Sequence, residues 1–373
     1  MIRLILIVLL FLLSLLAVFK AFEYHVWLLA IAVTEFPWLF SAITIVVLLI
    51  VFFGGRYVFP GTIIGLIALL LFLSPITRAY IIAGRVRADF DKKFGVSNTD
   101  STSAPFSFFK MFKKPVSIPH KKITYVKYAD TSLSLDFYPS QILGKKPCVI
   151  VVHGGSWAGG DSQQLPELNS YLATKGYNVA SINYRLAPKW QTPAPVEDIV
   201  NAIKYIREHA EELHIDTTQF VLIGRSAGAQ IALLAAYTMH DKDLKGVVDF
   251  YGPADMVWGY SIPASPLIMD SRKVMEQYIG GSYSQVPQKY FDCSPLVYVD
   301  KQSVPTLIIH GSNDVLVSPE HSHRLNGALQ HSGVKHFYLQ LPWANHGFDF
   351  NLNGPGGQLS TYTVSQFLNT VTK

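Results

Sequence analysis

A serine, an aspartate and a histidine of the kind that together catalyse acyl transfer follow one another along the second half of the chain. Ser226 lies within Gly224-Arg225-Ser226-Ala227-Gly228, and Asp314 and His346 each follow a later apolar run. A serine hydroxyl is a weak nucleophile until a base accepts its proton, and an acid that orients the base completes the set. The chain order serine, acid, histidine predicts hydrolysis through an acyl-enzyme.

The segment around Ser226 is typical of a nucleophile elbow. It directly follows a strand predicted at 220–223 and opens a helix predicted at 227–239. Residues 224 and 228 are glycines, which allow the strand and the helix to approach closely. The strained turn between them lifts the hydroxyl clear of the sheet, at the N-terminus of the helix. The sequence therefore predicts Ser226 as the nucleophile.

A second glycine-rich segment, His153-Gly154-Gly155-Ser156-Trp157, follows the strand predicted at 148–152. The amides of Gly154 and Gly155, with that of Ala227, are predicted to form an oxyanion hole. The loss of one such donor typically lowers the rate by about 10²–10³-fold. A simple glycine turn is the alternative, and the position of the segment upstream of a serine elbow favours the oxyanion hole.

Several other histidines compete with His346 for the role of base. A predicted amphipathic helix carries three of them, which we expect on a solvated face, and His336 begins a strand. His346 follows the last predicted strand on a loop, beside a glycine. Asp314 could be an ordinary turn residue, but its place between the serine and the histidine favours catalysis. The competitors are His310, His321, His323, His331 and His336.

Strand and helix patterns alternate from residue 123 onward without an internal repeat. Such alternation predicts an α/β fold in which a mostly parallel sheet is covered on both faces by helices, with the site at the carboxyl ends of the strands. The predicted strands are 123–128, 133–138, 148–152, 178–184, 220–223, 246–251, 306–310 and 336–341, and the predicted helices are 165–175, 196–214, 227–239 and 320–331.

The composition restricts the class of protein. Half of the 373 residues are hydrophobic and only 15% are charged, which excludes a disordered chain. The net charge of +5 comes with no dense basic run, so a nucleic-acid partner is not expected. The two cysteines, Cys148 and Cys293, provide neither a disulfide framework nor a metal-ligand spacing. The predicted chemistry requires no metal or organic cofactor, and the oligomeric state is not predicted.

The surplus of apolar residues lies in three stretches near residues 4–19, 36–53 and 57–77. A membrane helix needs about 17–25 such residues, so we expect about three transmembrane helices and a multi-pass integral membrane protein. The first stretch is borderline, and a cleaved signal peptide or two spans with an interfacial segment are the alternatives. Basic residues follow the third stretch, which predicts a cytoplasmic catalytic domain and an N-terminus outside, although one span more or fewer inverts this orientation.

Three regions are predicted along the chain: a membrane anchor at 1–80, a juxtamembrane linker at 81–122 and a catalytic domain at 123–373. In the linker, four phenylalanines alternate with lysines, a pattern that suits either docking on membrane lipid or packing on the domain itself. An apolar insert near 254–304 is predicted to cap the pocket and to favour a lipophilic ester of short to medium chain length. Trp157, Arg225 and Trp258 are the predicted substrate contacts.

From about residue 120 to the end, the chain resembles α/β-hydrolases, and among them the hormone-sensitive-lipase-like and ferulic-esterase-like carboxylesterases. The resemblance implies the α/β-hydrolase fold and ester hydrolysis. It also implies that Glu197 and Asp198 head a structural helix and that Arg185 is an ion-pair or hydrogen-bond anchor rather than a catalyst. The matching segments are 153–157, Gly160-Asp161, 183–188, 193–198, 224–228, Ser294-Pro295, 310–314 and 346–348.

Two departures from these families flank the oxyanion hole. Arg225 stands where they often carry aspartate, and Ser156 where many carry a third glycine, so the acyl preference is expected to be unusual.

Two rival functions remain open. A formamidase or a prenylcysteine methylesterase has a similar elbow, here followed by Ala229-Gln230. A non-catalytic, membrane-tethered interaction module of the same fold usually lacks one residue of the triad.

Overall fold

The computed structural model describes residues 2–50, 57–95 and 104–372. The helices are α1 (Ile2–Ser14), α2 (Tyr24–Glu35), α3 (Pro37–Leu49), α4 (Val58–Ala83), α5 (Val86–Phe94), α6 (Pro166–Thr174), α7 (Ala194–Glu208), α8 (Ala227–Thr238), α9 (Met256–Ser261), α10 (Ser271–Ile279), α11 (Pro287–Asp292), α12 (Glu320–His331) and α13 (Pro355–Val371). The strands are β1 (Lys121–Lys127), β2 (Ser132–Tyr138), β3 (Lys146–Val152), β4 (Asn178–Ile182), β5 (Ile215–Arg225), β6 (Leu244–Phe250), β7 (Thr306–Gly311) and β8 (His336–Leu341).

The strands form one sheet in the order β1-β2-β4-β3-β5-β6-β7-β8. β2 pairs antiparallel with β1 and β4, and every later neighbour pairs in parallel. The prediction of a mostly parallel sheet is therefore confirmed. Because the parallel strands run in one direction, the loops after β3, β5, β7 and β8 open on the same edge, where the predicted site residues lie.

Alternation along the central strands builds a core on each face of the sheet. In β3, Cys148, Ile150 and Val152 belong to one buried cluster with α7, α8 and α12, and Val149 and Val151 belong to the other with α6 and α13. Successive side chains of a strand point to opposite faces, so a continuous apolar strand requires helices on both faces. Both layers are present.

A buried ion pair fixes the loop after β4 against α7. The Arg185 guanidinium donates to both oxygens of Asp198, at 2.9 and 3.1 Å, and to Glu197 at 2.8 Å. The Tyr128 hydroxyl also donates to Asp198, at 2.6 Å. Asp198 is fully buried, and removing one partner of such a pair typically costs about 3–5 kcal/mol. Arg185 is thus the anchor that the sequence resemblance implies.

The prediction of about three transmembrane helices is not supported. Within the described ranges, α4 alone is long and apolar enough to cross a membrane, and α2 with α3 would make a second span only as a pair bent by 85°. The bend lies at Phe36, where α2 ends and Pro37 begins a new helix. α1 ends at Ser14 and is too short. Residues 51–56, which include the end of the predicted stretch at 36–53, lie outside the described residues.

The N-terminal helices also pack on the catalytic region, which a simple anchor would not require. Ile76 and Ile82 of α4 and Phe90 of α5 are buried in the same core cluster as α6 and α13. In the following segment, Phe106 is buried against the Tyr80 ring, with the ring centroids 4.8 Å apart, whereas the Phe109 side chain is 77% exposed. Residues 97–103 of the predicted linker lie outside the described ranges, and the boundaries at 80 and 122 stay a prediction.

Asp249, near the end of β6, carries a carboxyl group that the sheet buries completely. Its Oδ1 accepts the amide of Gly252 at 2.7 Å, and Oδ2 has no hydrogen-bond partner among the described residues. Burial raises the pKa of Asp249 to about 7, although His310 acts in the opposite direction. The carboxyl therefore holds its proton in the folded protein at mildly acidic pH.

Asp249→Asn should change how stability depends on pH. The unfolded chain releases this proton near pH 4 and the folded protein near pH 7, so the wild type loses stability as the pH rises between them. The slope is at most about 1.4 kcal/mol per pH unit. In thermal denaturation, the Tm of the variant relative to that of the wild type should therefore increase as the pH rises between these two pKa values. Profiles of Tm against pH that run parallel for the two proteins would contradict the raised pKa of Asp249.

Candidate active site

The turn from β5 to α8 holds Ser226 in a strained backbone conformation. Its φ is +53° and its ψ is −121°, a region that residues with a β-carbon rarely adopt. A β-carbon at Gly228 would overlap the carbonyl oxygens of Val152 and His153, and one at Gly224 would overlap Gly228 and Ala229. The two glycines are thus required for the approach that presents the hydroxyl at the strand edge.

The structure brings the three predicted catalytic side chains into one hydrogen-bonded line. His346 Nε2 lies 2.9 Å from Ser226 Oγ, and His346 Nδ1 lies 2.7 Å from Asp314 Oδ2. Asp314 follows β7 and His346 follows β8. Because these parallel strands end at the same edge of the sheet, residues 120 positions apart in sequence become neighbours.

The surroundings of Asp314 keep its carboxyl ionised. Burial alone would raise its pKa, but the charges and hydrogen bonds of His346 and His310 hold the pKa below its ordinary value. An ionised carboxylate only accepts hydrogen bonds, so His346 carries its proton on Nδ1. Nε2 is then free to accept the proton of the Ser226 hydroxyl, which is the arrangement a general base requires.

His310 is a supporting residue that sequence reasoning weighed only as a rival base. Its Nε2 lies 3.1 Å from Asp314 Oδ2 and its Nδ1 lies 2.6 Å from Ser322 Oγ. The backbone amides of Leu316 and Val317 donate to Asp314 Oδ1, both at 2.9 Å. Together these contacts fix the Asp314 carboxylate. The sequence signal for this supporting role was that His310 lies four residues before Asp314, at the end of a strand.

One expectation about the other histidines is wrong. His321 was expected on the solvated face of α12 together with His323 and His331, yet its side chain is buried. It accepts the amide of Asp255 at 3.3 Å, and burial lowers its pKa to about 3. The helix turns His321 toward the insert, because the insert covers this side of α12. His323 and His331 are exposed, as expected.

One of the three amides predicted to form an oxyanion hole already has a hydrogen-bond partner. The Gly154 amide donates to the side-chain oxygen of Gln164 at 2.7 Å, so this donor is already engaged. Gly155 adopts a φ of +120°, and Ala227 is the first residue of α8, where an amide has no partner within the helix. The amides of Gly155 and Ala227 are therefore the candidate donors at this site.

Arg225, predicted as a substrate contact, is paired inside the protein. Its Nε donates to Asp349, which also accepts the hydroxyl of Tyr251. The Tyr251 ring lies against the His346 ring, with centroids 4.4 Å apart. Arg225 is buried, so its main contact is this network behind His346, although it also borders a cavity beside Ser226.

Two cavities meet at Ser226. The cap-side cavity, of about 340 Å³, is lined by Trp157, Ala227, Ile262, Val274 and Met275. The helix-side cavity, of about 610 Å³, is lined by Trp27, Leu28, Ile31, Gly155 and His346. Both volumes fall in the range of ordinary ligand pockets. The predicted insert thus borders both cavities, and α2 borders the helix-side cavity.

The remaining two predicted substrate contacts have different outcomes. Trp157 lines the cap-side cavity, where its indole N–H donates to Gln230 at 2.9 Å and its ring stacks on Tyr278. Trp258 lines neither cavity beside Ser226, and a substrate contact at this residue stays a prediction. Asp255 caps α9 by accepting the Trp258 amide at 2.9 Å, and the Trp258 indole packs on His321 and Arg324 instead.

Across the described ranges, no cluster of three or more histidine, cysteine or acidic side chains could hold a metal ion.

The chain is similar to curated esterases. It is 31% identical to Esterase LipC of Mycobacterium tuberculosis over 264 residues, which cover 65% of this chain and 63% of LipC. It is 28% identical to Esterase LipQ of the same organism over 240 residues, covering 61% of this chain and 56% of LipQ. The chain thus spans about three fifths of the length of these relatives.

Solved structures show the same fold. A hyperthermophilic esterase from the archaeon Pyrobaculum calidifontis has a TM-score of 0.61 and 21% identity, covering 79% of this chain and 97% of that one. A fungal esterase from Rhizomucor miehei has a TM-score of 0.60 and 20% identity, covering 69% and 85%. The fold is therefore that of the α/β-hydrolases. The profile of the BD-FAE family matches residues 135–329, more than half of the chain, and the chain belongs to the BD-FAE family.

Proposed function

We propose that this protein is a membrane-anchored serine carboxylesterase that cleaves lipophilic carboxylic esters through an acyl-enzyme. The observation that carries the proposal is the line from Ser226 through His346 to Asp314, with distances of 2.9 and 2.7 Å. The esterases among the curated relatives support the same reaction class. A non-catalytic interaction module would have no need of this line.

In the first half-reaction, His346 Nε2 takes the proton of Ser226 as Oγ forms a bond to the ester carbonyl carbon. The charge that develops on the carbonyl oxygen is stabilised by the amides of Gly155 and Ala227, and Asp314 stabilises the imidazolium. The bond between the carbonyl carbon and the alcohol oxygen then breaks. The alcohol leaves with the proton from His346, and the acyl group stays on Ser226.

In the second half-reaction, water takes the place of the alcohol. His346 accepts a proton from water as its oxygen attacks the acyl carbon, and the bond to Ser226 Oγ breaks as His346 returns the proton to the serine. The acid is released and the enzyme is restored. All proton transfers use His346, and neither half-reaction requires a cofactor.

We assign the acyl group to the cap-side cavity. Met275 is buried in its wall and Val274 is partly exposed there, so an uncharged hydrocarbon group fits better than a charged one. The volume of about 340 Å³ lies near the lower end of the range for ligand pockets. This supports an acid of short to medium chain length.

The proposal of a membrane anchor is supported by the surfaces of α1, α3 and α4. Large apolar side chains of these helices are exposed, including Leu9, Leu49, Phe59 and Leu70, and exposed apolar patches of this kind mark a membrane or interaction surface. Arg78 lies near the C-terminal end of α4, and Arg85 and Arg87 follow this helix. The excess of basic residues there favours a cytoplasmic catalytic domain.

Ser226→Ala should abolish turnover while the protein stays folded. Removal of the nucleophile leaves only binding and electrostatic contributions, so kcat for p-nitrophenyl butyrate should fall by about 10⁴-fold or more. Ser282→Ala, which changes a serine of the insert that lines neither cavity, is the matched control and should retain activity. Substantial turnover by a folded Ser226→Ala protein would contradict the proposal.

A narrower cap-side cavity should shift the preference toward esters of acids with a shorter chain. Each buried methylene contributes about 0.8 kcal/mol, so Val274→Phe should lower kcat/KM for p-nitrophenyl octanoate relative to the acetate by about tenfold. Val257→Phe, which makes the same change on α9 away from both cavities, should leave the ratio unaltered. An unchanged ratio in Val274→Phe, or a wild type equally active on the palmitate, would contradict the assignment.

A further inference from the structure

Helix α2 forms one wall of the helix-side cavity, although it ends at Glu35 and the segment that matches the family profile begins only at residue 135. Trp27, Leu28 and Ile31 of this helix line the cavity together with Ser226 and His346. With Tyr24, which also lines it, these helix positions follow the i, i+3, i+4, i+7 spacing of one helical face. A single face of an N-terminal helix is therefore presented to the reacting atoms.

The contacts of α2 fix it in this place. The indole N–H of Trp27 donates to the backbone carbonyl of His346 at 3.1 Å. At the other end, the backbone carbonyl of Glu35 accepts Asn351 at 2.8 Å, and its carboxylate accepts the amide of Gly356 at 3.0 Å. Both ends of the helix thus bond to the chain that follows β8, which carries the predicted base.

The wall and the opening of this cavity are apolar. Tyr24, Leu28 and Phe350 line it and are 44%, 44% and 62% exposed, so they border its opening. Among the described residues that line it, Arg225 is the one charged side chain apart from the titratable His346, and Asp349 neutralises it. A charged or sugar-like group against the α2 wall would lose hydration, because Trp27, Leu28 and Ile31 offer it no free hydrogen-bond partner there.

The position of His346 decides which half of an ester lies here. His346 must give its proton to the oxygen of the departing alcohol, so the alcohol has to lie on the side of the imidazole. Among the described residues, His346 lines the helix-side cavity and does not line the cap-side cavity. The acyl group then occupies the cap-side cavity, as assigned above.

We infer that the helix-side cavity binds the alcohol half of the substrate, and that α2 selects esters of large, uncharged, apolar alcohols. This inference rests on the proposed esterase function and adds a substrate class to it. The volume of about 610 Å³ exceeds that of the acyl side. The preferred substrate joins a short or medium acid to an alcohol with a longer hydrocarbon portion, which enters between Leu28 and Phe350.

Octyl acetate and ethyl octanoate test this assignment, because they are isomers that differ only in which side of the ester carries the chain. The full-length protein in detergent micelles is assayed for release of acid from each. Leu28→Trp should lower the ratio of kcat/KM for octyl acetate to that for ethyl octanoate by about tenfold, the effect expected when roughly two methylenes lose their apolar contacts. Ala32→Phe, on the same wall, should lower the ratio in the same direction and decides the test if Leu28→Trp does not fold.

Leu29→Trp is the matched control. Leu29 is 47% exposed, against 44% for Leu28, and does not line the cavity, so the ratio should stay within about twofold of the wild type. A ratio unchanged in Leu28→Trp and Ala32→Phe, or one that rises, would overturn the inference while the esterase function stands. Failure of the wild type to hydrolyse either ester would instead overturn the proposed function.

Discussion

The close approach of β5, α8 and the end of β3 is the constraint on which the rest of the site depends. Gly228 lies so near the carbonyl groups of Val152 and His153 that no side chain fits. The chain can therefore turn from strand to helix only through the positive φ of Ser226. This turn places the hydroxyl and the Ala227 amide together, within reach of the loops that follow β7 and β8. The strain at Ser226 is tolerated because the surrounding packing leaves the backbone no alternative.

The N-terminal helices pack into the α/β-hydrolase fold as well as forming the proposed anchor. α4 and α5 contribute buried side chains to the core beneath the sheet, and α2 bonds to the loop that carries His346. The same segment thus supplies exposed apolar surface for the proposed membrane contact and a wall for the helix-side cavity. Under the proposed function, a lipophilic ester would pass from the membrane into this cavity.

Features encoded within a few residues could be predicted from the sequence, and features that depend on distant contacts could not. Ser226, Asp314 and His346 were found because each follows a strand and because their order is restricted. The engagement of the Gly154 amide by Gln164 depends on how the loop after β3 folds back. No local pattern predicts it. The burial of His321 depends in the same way on the insert covering α12.

Composition alone did not predict how the N-terminal helices are arranged. Apolar length predicted three spans, but the first two apolar stretches form α1 and α3, which have 13 residues each and are too short to cross a membrane as single helices. The orientation of Trp27 and Leu28 toward the site required the tertiary structure. The long helix α13 was also missed, because polar residues are interspersed along it even though most of it is buried between the sheet and α4 or α5.

The most direct test of the central claim is to map the covalent adduct that the full-length protein forms with a fluorophosphonate. Peptide mass spectrometry should locate a single adduct on Ser226, and His346→Ala should suppress its formation, because the serine is then without its base. An adduct on another residue, or a folded wild-type protein that forms none, would contradict the assignment of Ser226, His346 and Asp314 as the catalytic line.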